Sequence, residues 1–187
     1  MKNEYQGAEL KHLNALSDAE FVSVLGGIYE HSPWVPQRIL KHRPFFDIDQ
    51  LEQSMRRAVD DASDDEKLTL ILAHPDLAGK LARAGTLTAE STREQSGLGL
   101  DRLSDAEYEE FSGNNESYRG KFGFPFIICA RLSTRQGVLD AFKARLKNSR
   151  EIELREALAQ IHLIAKMRLG DAVDHPGSPL ARGDSKD

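Results

Sequence analysis

At five places in this chain a serine or asparagine standing three positions ahead of a glutamate or glutamine opens a run of periodic apolar residues. The places are Ser17-Asp18-Ala19-Glu20, Ser63-Asp64-Asp65-Glu66, Ser104-Asp105-Ala106-Glu107, Ser133-Thr134-Arg135-Gln136 and Asn148-Ser149-Arg150-Glu151. Such a capping box satisfies backbone N–H groups that the first turn of a helix leaves bare, so each marks a helix start. Apolar residues then follow at spacings of three and four: Phe21, Val24, Leu25 and Ile28 after the first box, Leu68, Ile71 and Leu72 after the second, and Leu154, Leu158, Ile161 and Ala165 after the last. That periodicity places one face of each helix in a core. The spacing predicts helices over 18–29, from 47 to 59 (Ile48, Leu51, Met55, Ala58, Val59), from 63 to His74, over 76–84, from 88 to 95 and from 104 to 118, then one after each of the last two boxes. A short helix over 37–41 follows the Ser32-Pro33-Trp34-Val35-Pro36 break, where prolines hold Trp34 stiffly as a packing anchor.

One segment resists this pattern. In Lys121-Phe122-Gly123-Phe124-Pro125-Phe126-Ile127-Ile128-Cys129-Ala130-Arg131, glycine and proline interrupt three phenylalanines, and the apolar run after Pro125 is too short for a helix of its own. It is read as an extended stretch, either a buried crossing of the core or an apolar wall whose backbone faces a pocket.

At 187 residues one domain is expected, over 1–173, with a disordered tail over 174–187 rich in Pro, Gly and charge. The net charge of −5 and the lack of a basic stripe argue against a nucleic-acid partner. A single cysteine, Cys129, excludes an internal disulfide framework or thiolate zinc cluster. With no apolar stretch of about twenty residues, no hydrophobic leader and no Ser-Lys-Leu ending, the expected compartment is the cytoplasm, without a membrane partner.

Three features bear on chemistry. The run Leu70-Ile71-Leu72-Ala73-His74-Pro75 ends a helix on a histidine, because a residue before proline is pushed out of the helical region. The helix carbonyl end favours a protonated imidazole, and a group with an ordinary pKa of about 6.5 exchanges protons near neutrality, although a histidine capping its own helix meets the same description. The turn Ala89-Glu90-Ser91-Thr92-Arg93-Glu94-Gln95 is polar almost throughout, either a solvated face or, turned inward, a set of hydrogen-bonding side chains for a polar small molecule. Gly97 and Gly99 resemble a phosphate loop, but no strand precedes them and no Gly-Lys-Ser/Thr follows. Arg168 falls on the apolar stripe seven residues after Ile161, so its guanidinium must snorkel, find a buried carboxylate or hold an anionic ligand.

Ala73-His74-Pro75-Asp76-Leu77, Ser91-x-x-Glu94-Gln95-x-Gly97-Leu98, Asn114 with Tyr118, and the Phe-Gly-Phe-Pro-Phe segment with its Ile-Ile-Cys-Ala-Arg sequel occur in one order. Together they resemble the 2-oxo-4-hydroxy-4-carboxy-5-ureidoimidazoline (OHCU) decarboxylases of urate degradation, over roughly residues 12 to 170. The resemblance implies an all-α, single-domain bundle of roughly eight helices with the Phe-Gly-Phe-Pro-Phe segment lining the site, a homodimer that needs no cofactor and no metal, and OHCU as substrate. It carries the catalytic histidine onto His74, a substrate contact onto Pro75, the substrate-binding turn onto Ser91, Thr92, Arg93, Glu94 and Gln95, and the wall onto Phe126, Ile127, Ile128, Cys129 and Ala130. Arg168 becomes the active-site arginine by helix register alone. Loss of carbon dioxide leaves an electron pair that the substrate's own C=N system accepts. His74 then serves as general acid and base, Glu94 orients the imidazole or holds the ureido N–H groups, and Arg168 holds a carboxylate or developing oxyanion. A different class of function, a non-catalytic helical module that binds a ureide or purine, shares the polar pocket; only the enzyme needs Glu94 and Arg168 to converge on His74.

Overall fold

Helix follows helix as the caps dictate. The computed structural model describes residues 2–79, 85 and 87–174, with side chains over 9–79, 85 and 87–173. Among them are nine α-helices and no strand: α1 (Lys2–Ala15), α2 (Asp18–Leu25), α3 (Trp34–Ile39), α4 (Ile48–Asp60), α5 (Asp64–Leu72), α6 (Ala89–Gly97), α7 (Asp105–Phe122), α8 (Arg135–Arg145) and α9 (Arg150–Asp174). No described helix is long and apolar enough to cross a membrane, and no described group of three His, Cys, Asp or Glu is placed to hold a metal. The tail beyond Asp174 lies outside the described residues.

Three boxes form as read. The backbone N–H groups of Ser17, Ser63 and Ser104 donate to Glu20, Glu66 and Glu107 at 2.9, 3.0 and 2.8 Å, and each serine hydroxyl accepts from the glutamate's own N–H at 3.3 Å. The other two starts are capped one residue later than expected. Thr134 accepts from Gly137 N–H at 3.0 Å and Ser149 from Ile152 N–H at 3.3 Å, because Ser133 and Asn148 are engaged elsewhere, on the Cys129 carbonyl and the Glu153 carboxylate. α1 has no counterpart in the sequence reading.

The capping glutamates make stability depend on acid. The Ser17 hydroxyl holds the Glu20 carboxyl below its usual value of 4.5, and the Ser63 and Ser104 backbone N–H groups do the same for Glu66 and Glu107. A carboxyl lowered in the folded state stabilises the fold above its unfolded pKa and loses that contribution as pH falls through the folded value. Urea unfolding followed from about pH 6 down to about pH 3 is therefore expected to show a midpoint that drops below about pH 4.5. Replacing Glu66 and Glu107 by Gln flattens that drop; an unchanged pH profile in the double variant contradicts the assignment.

The described residues form two units, one reaching to Lys67 and resuming at Ile164, the other Leu68–Leu163. In the first, Phe21, Val35, Ile39, Phe45, Leu51 and Met55 are buried, and Phe21 stacks on Phe45 at 6.2 Å. α2 stops at Leu25, four residues short of the expected Tyr29. A Cβ on Gly26 would meet the Val22 carbonyl at 2.9 Å, and Gly26 is the residue on which the helix ends. α3 starts on Trp34 itself, ahead of the expected Gln37, and a single 3₁₀ turn (Leu40–His42) completes it. Trp34 is half-buried beneath the Arg38 guanidinium, 4.5 Å from the ring centre.

The second unit centres on an aromatic cluster. Tyr118 and Phe122 of α7, Phe124 and Phe126 of the extended segment, and Phe142 of α8 meet at centroid distances from 3.8 to 6.3 Å. Each fully buried aromatic side chain contributes about 1.5–3 kcal/mol, which explains why α7 runs on to Phe122 rather than stopping at Tyr118. The Gly97–Gly99 loop is a structural turn. Gly99 takes a left-handed φ of 66°, and Arg135 lies against it, donating to the Leu98 and Gly99 carbonyls at 2.7 and 2.6 Å.

Candidate active site

α5 ends at Leu72, two residues before His74 and three before the Pro75 that stops it, as expected. His74 is buried, 6 % exposed, and its Nδ1 lies 2.9 Å from the Leu70 carbonyl oxygen. A carbonyl can only accept, so Nδ1 carries the proton. In the neutral form of the ring the lone pair then lies on Nε2.

A helix over 76–84 does not begin where expected. Residues 76–79 form a turn with Ala78 at φ 50°, and 80–84 lie outside the described residues. The cause is the supply of hydrogen bonds from other helices. Gln95 of α6 accepts from Ala78 N–H at 2.9 Å and donates to the Asp76 carbonyl at 3.4 Å, Asn115 of α7 donates to the Leu77 carbonyl at 2.8 Å, and Arg119 pairs with the Asp76 carboxylate at 2.8 Å. Groups that a helix would have satisfied along its own axis are bound sideways, and His74 and Pro75 are thereby held at a fixed loop.

The polar turn resolves into two faces. Ser91 and Gln95 are buried at 3 % and 5 % exposure and Glu94 is half-buried, while Thr92 and Arg93 face solvent. Arg93 is occupied by the Ala89 carbonyl and Glu90. Glu94 also sits in the electrostatic neighbourhood of Cys129. Burial pushes the Cys129 thiol above its ordinary pKa, and the Glu94 carboxylate pushes it further in the same direction.

The 124–129 segment takes neither helix nor strand, as expected of a stretch that glycine and proline interrupt, and most of it is buried. Phe126 is core, stacked on Phe142 at 3.8 Å and 1 % exposed. Its neighbours have their backbone groups assigned: the Ile127 carbonyl accepts from Arg145 at 2.6 Å, and Cys129 N–H donates to Gln160 at 2.8 Å. Ile128 is half-buried, and among the described residues its N–H and C=O have no hydrogen-bond partner. Beneath the wall lies an ion pair that sequence patterning did not reveal. Arg145, on the apolar side of α8, binds the fully buried Glu153 at 2.8 Å and the Tyr118 hydroxyl at 3.3 Å, and Tyr118 donates to Glu153 in turn. Burial, then that carboxylate, pushes the Tyr118 phenol well above its ordinary range.

Arg168 belongs to the first unit, His74 and Glu94 to the second. Of the three options for its guanidinium the structure shows a buried carboxylate: Nη1 binds Glu30 at 2.6 Å and the Gly27 carbonyl at 3.2 Å. Glu30 is itself 2 % exposed and has a positive φ of 28°. A cleft of about 440 Å³ in the same unit is lined by Arg38, Lys41, His42, Arg57 and Asp61 among others, and by none of the sequence-predicted site residues. Asn114 bonds its own helix at the Glu110 carbonyl; the buried asparagine that reaches the histidine loop is Asn115.

The family model described as OHCU decarboxylase matches residues 14–170. A 2-oxo-4-hydroxy-4-carboxy-5-ureidoimidazoline decarboxylase of Haloferax volcanii is 41% identical over 162 residues, which is 87% of this chain and 94% of that protein. The solved structure of an (S)-allantoin synthase superposes with a TM-score of 0.71 at 37% identity, covering 88% of this chain, which spans about half (53%) of that one. A second, an OHCU decarboxylase in the presence of (S)-allantoin, gives 0.66 at 21% identity over 86% of this chain and 100% of its own, and shares the fold.

Proposed function

This chain belongs to the OHCU decarboxylase family, and from that premise we infer that it releases carbon dioxide from OHCU to give (S)-allantoin, with His74 handling the proton. The family match over residues 14–170 carries the activity. The Nδ1–H bond to Leu70 supports the role of His74, because it directs the basic Nε2 away from the helix end that holds the ring.

In this reading the bond from the ring carbon to the carboxylate breaks, its electron pair moves into the adjoining C=N system, and a proton returned to carbon on one face completes (S)-allantoin. His74 polarises the substrate hydroxyl as the bond breaks or delivers that proton. Pro75 touches the substrate beside it. Ser91 and Glu94, inward on α6, bind the ring and ureido N–H groups, Thr92 and Arg93 border the mouth, and Gln95 acts through the loop it grips. Arg168 holds the substrate carboxylate or the developing oxyanion, kept in place by Glu30. Phe126 to Ala130 keep water out, with Ile128 offering its N–H and C=O to the substrate's amide edge. The reading includes a homodimer and a cytoplasmic setting, the first checked by sedimentation equilibrium.

The deciding experiment generates OHCU in the cuvette from urate with uricase and hydroxyisourate hydrolase and follows circular dichroism. Spontaneous decay protonates both faces and gives little net signal. Fast growth of an (S)-allantoin signal is expected with this protein; a folded protein that leaves the decay unchanged overturns the assignment and favours a module that only binds a ureide.

A further inference from the structure

The cleft of about 440 Å³ in the first unit is large enough for a small organic molecule, and the charges around it have not closed on one another. One wall is Arg38 of α3 with Lys41 and His42 of the 3₁₀ turn, and the other is Ser54 and Arg57 of α4 with Asp61 just past its end. Arg38 is engaged: it bonds the Ala58 carbonyl at 3.4 Å and the Glu66 carboxylate, and it lies over Trp34. Lys41, His42, Arg57 and Asp61 are exposed, and among the described residues their side chains have no hydrogen bond or ion pair. Arg57 and Asp61 stand at the spacing where helical ion pairs close. Their neighbours at the same spacing, Arg56 and Asp60, do close at 3.6 Å. Open cations also run against the trend of a chain whose net charge is −5.

We propose that this cleft binds a small phosphomonoester that also carries hydroxyl or N–H donors. A phosphomonoester brings a charge of about −1.5 to −2 near neutral pH and three acceptor oxygens on one centre. Arg57, Lys41 and His42 present three donors, a planar fork, a rotating ammonium and a ring, and a single carboxylate with two oxygens would leave one of them idle. Acceptors line the cleft as well. The Ser54 hydroxyl gives its hydrogen to the Gln50 carbonyl at 2.8 Å, so toward a ligand it can only accept, and the Asp61 carboxylate accepts too. A bare phosphate ion is repelled by Asp61, whereas the hydroxyl groups of an ester donate to it. None of these residues has a part in the decarboxylation proposed above. The cleft is therefore a second ligand site on the same chain, and its binding is measured without OHCU.

Trp34, the only tryptophan of the chain, lies 4.5 Å from the Arg38 guanidinium that lines the cleft, so its fluorescence reports on the site. The full chain is titrated with ribose 5-phosphate, inorganic phosphate and ribose, followed by calorimetry and by that fluorescence. Ribose 5-phosphate is expected to saturate the site with a Kd below about 1 mM, several-fold tighter than phosphate, and ribose is expected not to bind. Lys41→Gln and Arg57→Gln are each expected to weaken the ester about fivefold, the modest loss fitting cations that water partly screens. Asp61→Asn is expected to tighten inorganic phosphate by about threefold and to erase most of the ester's advantage over it. No saturation by about 10 mM, or an affinity unchanged in both glutamine variants, overturns the proposal. Equal affinity of the ester and bare phosphate overturns it as well. Without the ester, OHCU turnover in the two glutamine variants is expected to stay within about twofold of wild type. A loss of turnover in those folded variants assigns the cleft to the substrate and overturns the second site.

Discussion

His74→Asn is expected to leave a folded protein that turns OHCU over about 10²–10⁴-fold more slowly, the usual size of a lost general acid or base. Asparagine suits the test because its Nδ2 can donate to the Leu70 carbonyl as the ring Nδ1 does at 2.9 Å, so the helix end keeps its bond. What disappears is Nε2, and with it the only titratable atom of the side chain. Near-native thermal melting with lost turnover ties His74 to the chemistry; turnover within about twofold of wild type removes it from the mechanism. The stereochemistry of residual product separates its two candidate duties. Slow but still (S)-selective turnover places His74 at carbon–carbon cleavage. Accelerated loss of OHCU with racemic allantoin places it at the final protonation. Asparagine cannot be protonated in that range, so any pH dependence the wild type owes to His74 is also expected to vanish.

The same histidine shows where sequence reading ends. Its position, the helix before it and the stop at Pro75 follow from local rules, as do the boxes at Ser17, Ser63 and Ser104, whose partners lie three residues away. The turn after it does not. Pro75-Asp76 looks like a helix start, and the groups that cancel it, Gln95, Asn115 and Arg119, lie 17 to 43 positions later in the chain. Arg168 stands out on its stripe, but its partner Glu30 lies 138 positions away, beyond the reach of local patterning. In the polar turn, spacing alone could not say whether the side carrying Ser91 and Gln95 or the side carrying Thr92 and Arg93 faced inward. The choice is made by what Gln95 binds. Asn115 lies on the helix face of Phe111 and Tyr118, and a carboxamide on an apolar face gives no pattern that points to its partner.

Arg145→Met is expected to cost about 3–5 kcal/mol, because it leaves the Glu153 carboxylate buried without its cation. In a chain of this size that is a fall in melting temperature of about 6–20 °C, read by calorimetry. The guanidinium has a second task, since its Nη1 pins the Ile127 carbonyl at 2.6 Å and so sets the register of the 126–130 wall. The two tasks separate in the double variant Arg145→Met with Glu153→Leu. Replacing a buried ion pair by apolar side chains of similar size is close to neutral, whereas removing one partner is not, so the double variant is expected to regain most of the lost stability. Tyr118 and Asn148 lose their carboxylate partner in that variant, which limits the recovery. Turnover is expected to stay low all the same, because nothing in the double variant holds Ile127, and the proposed substrate contact at Ile128 is the next residue. A double variant no more stable than Arg145→Met contradicts the charge argument, and one that recovers turnover along with stability shows that the wall keeps its register without the arginine.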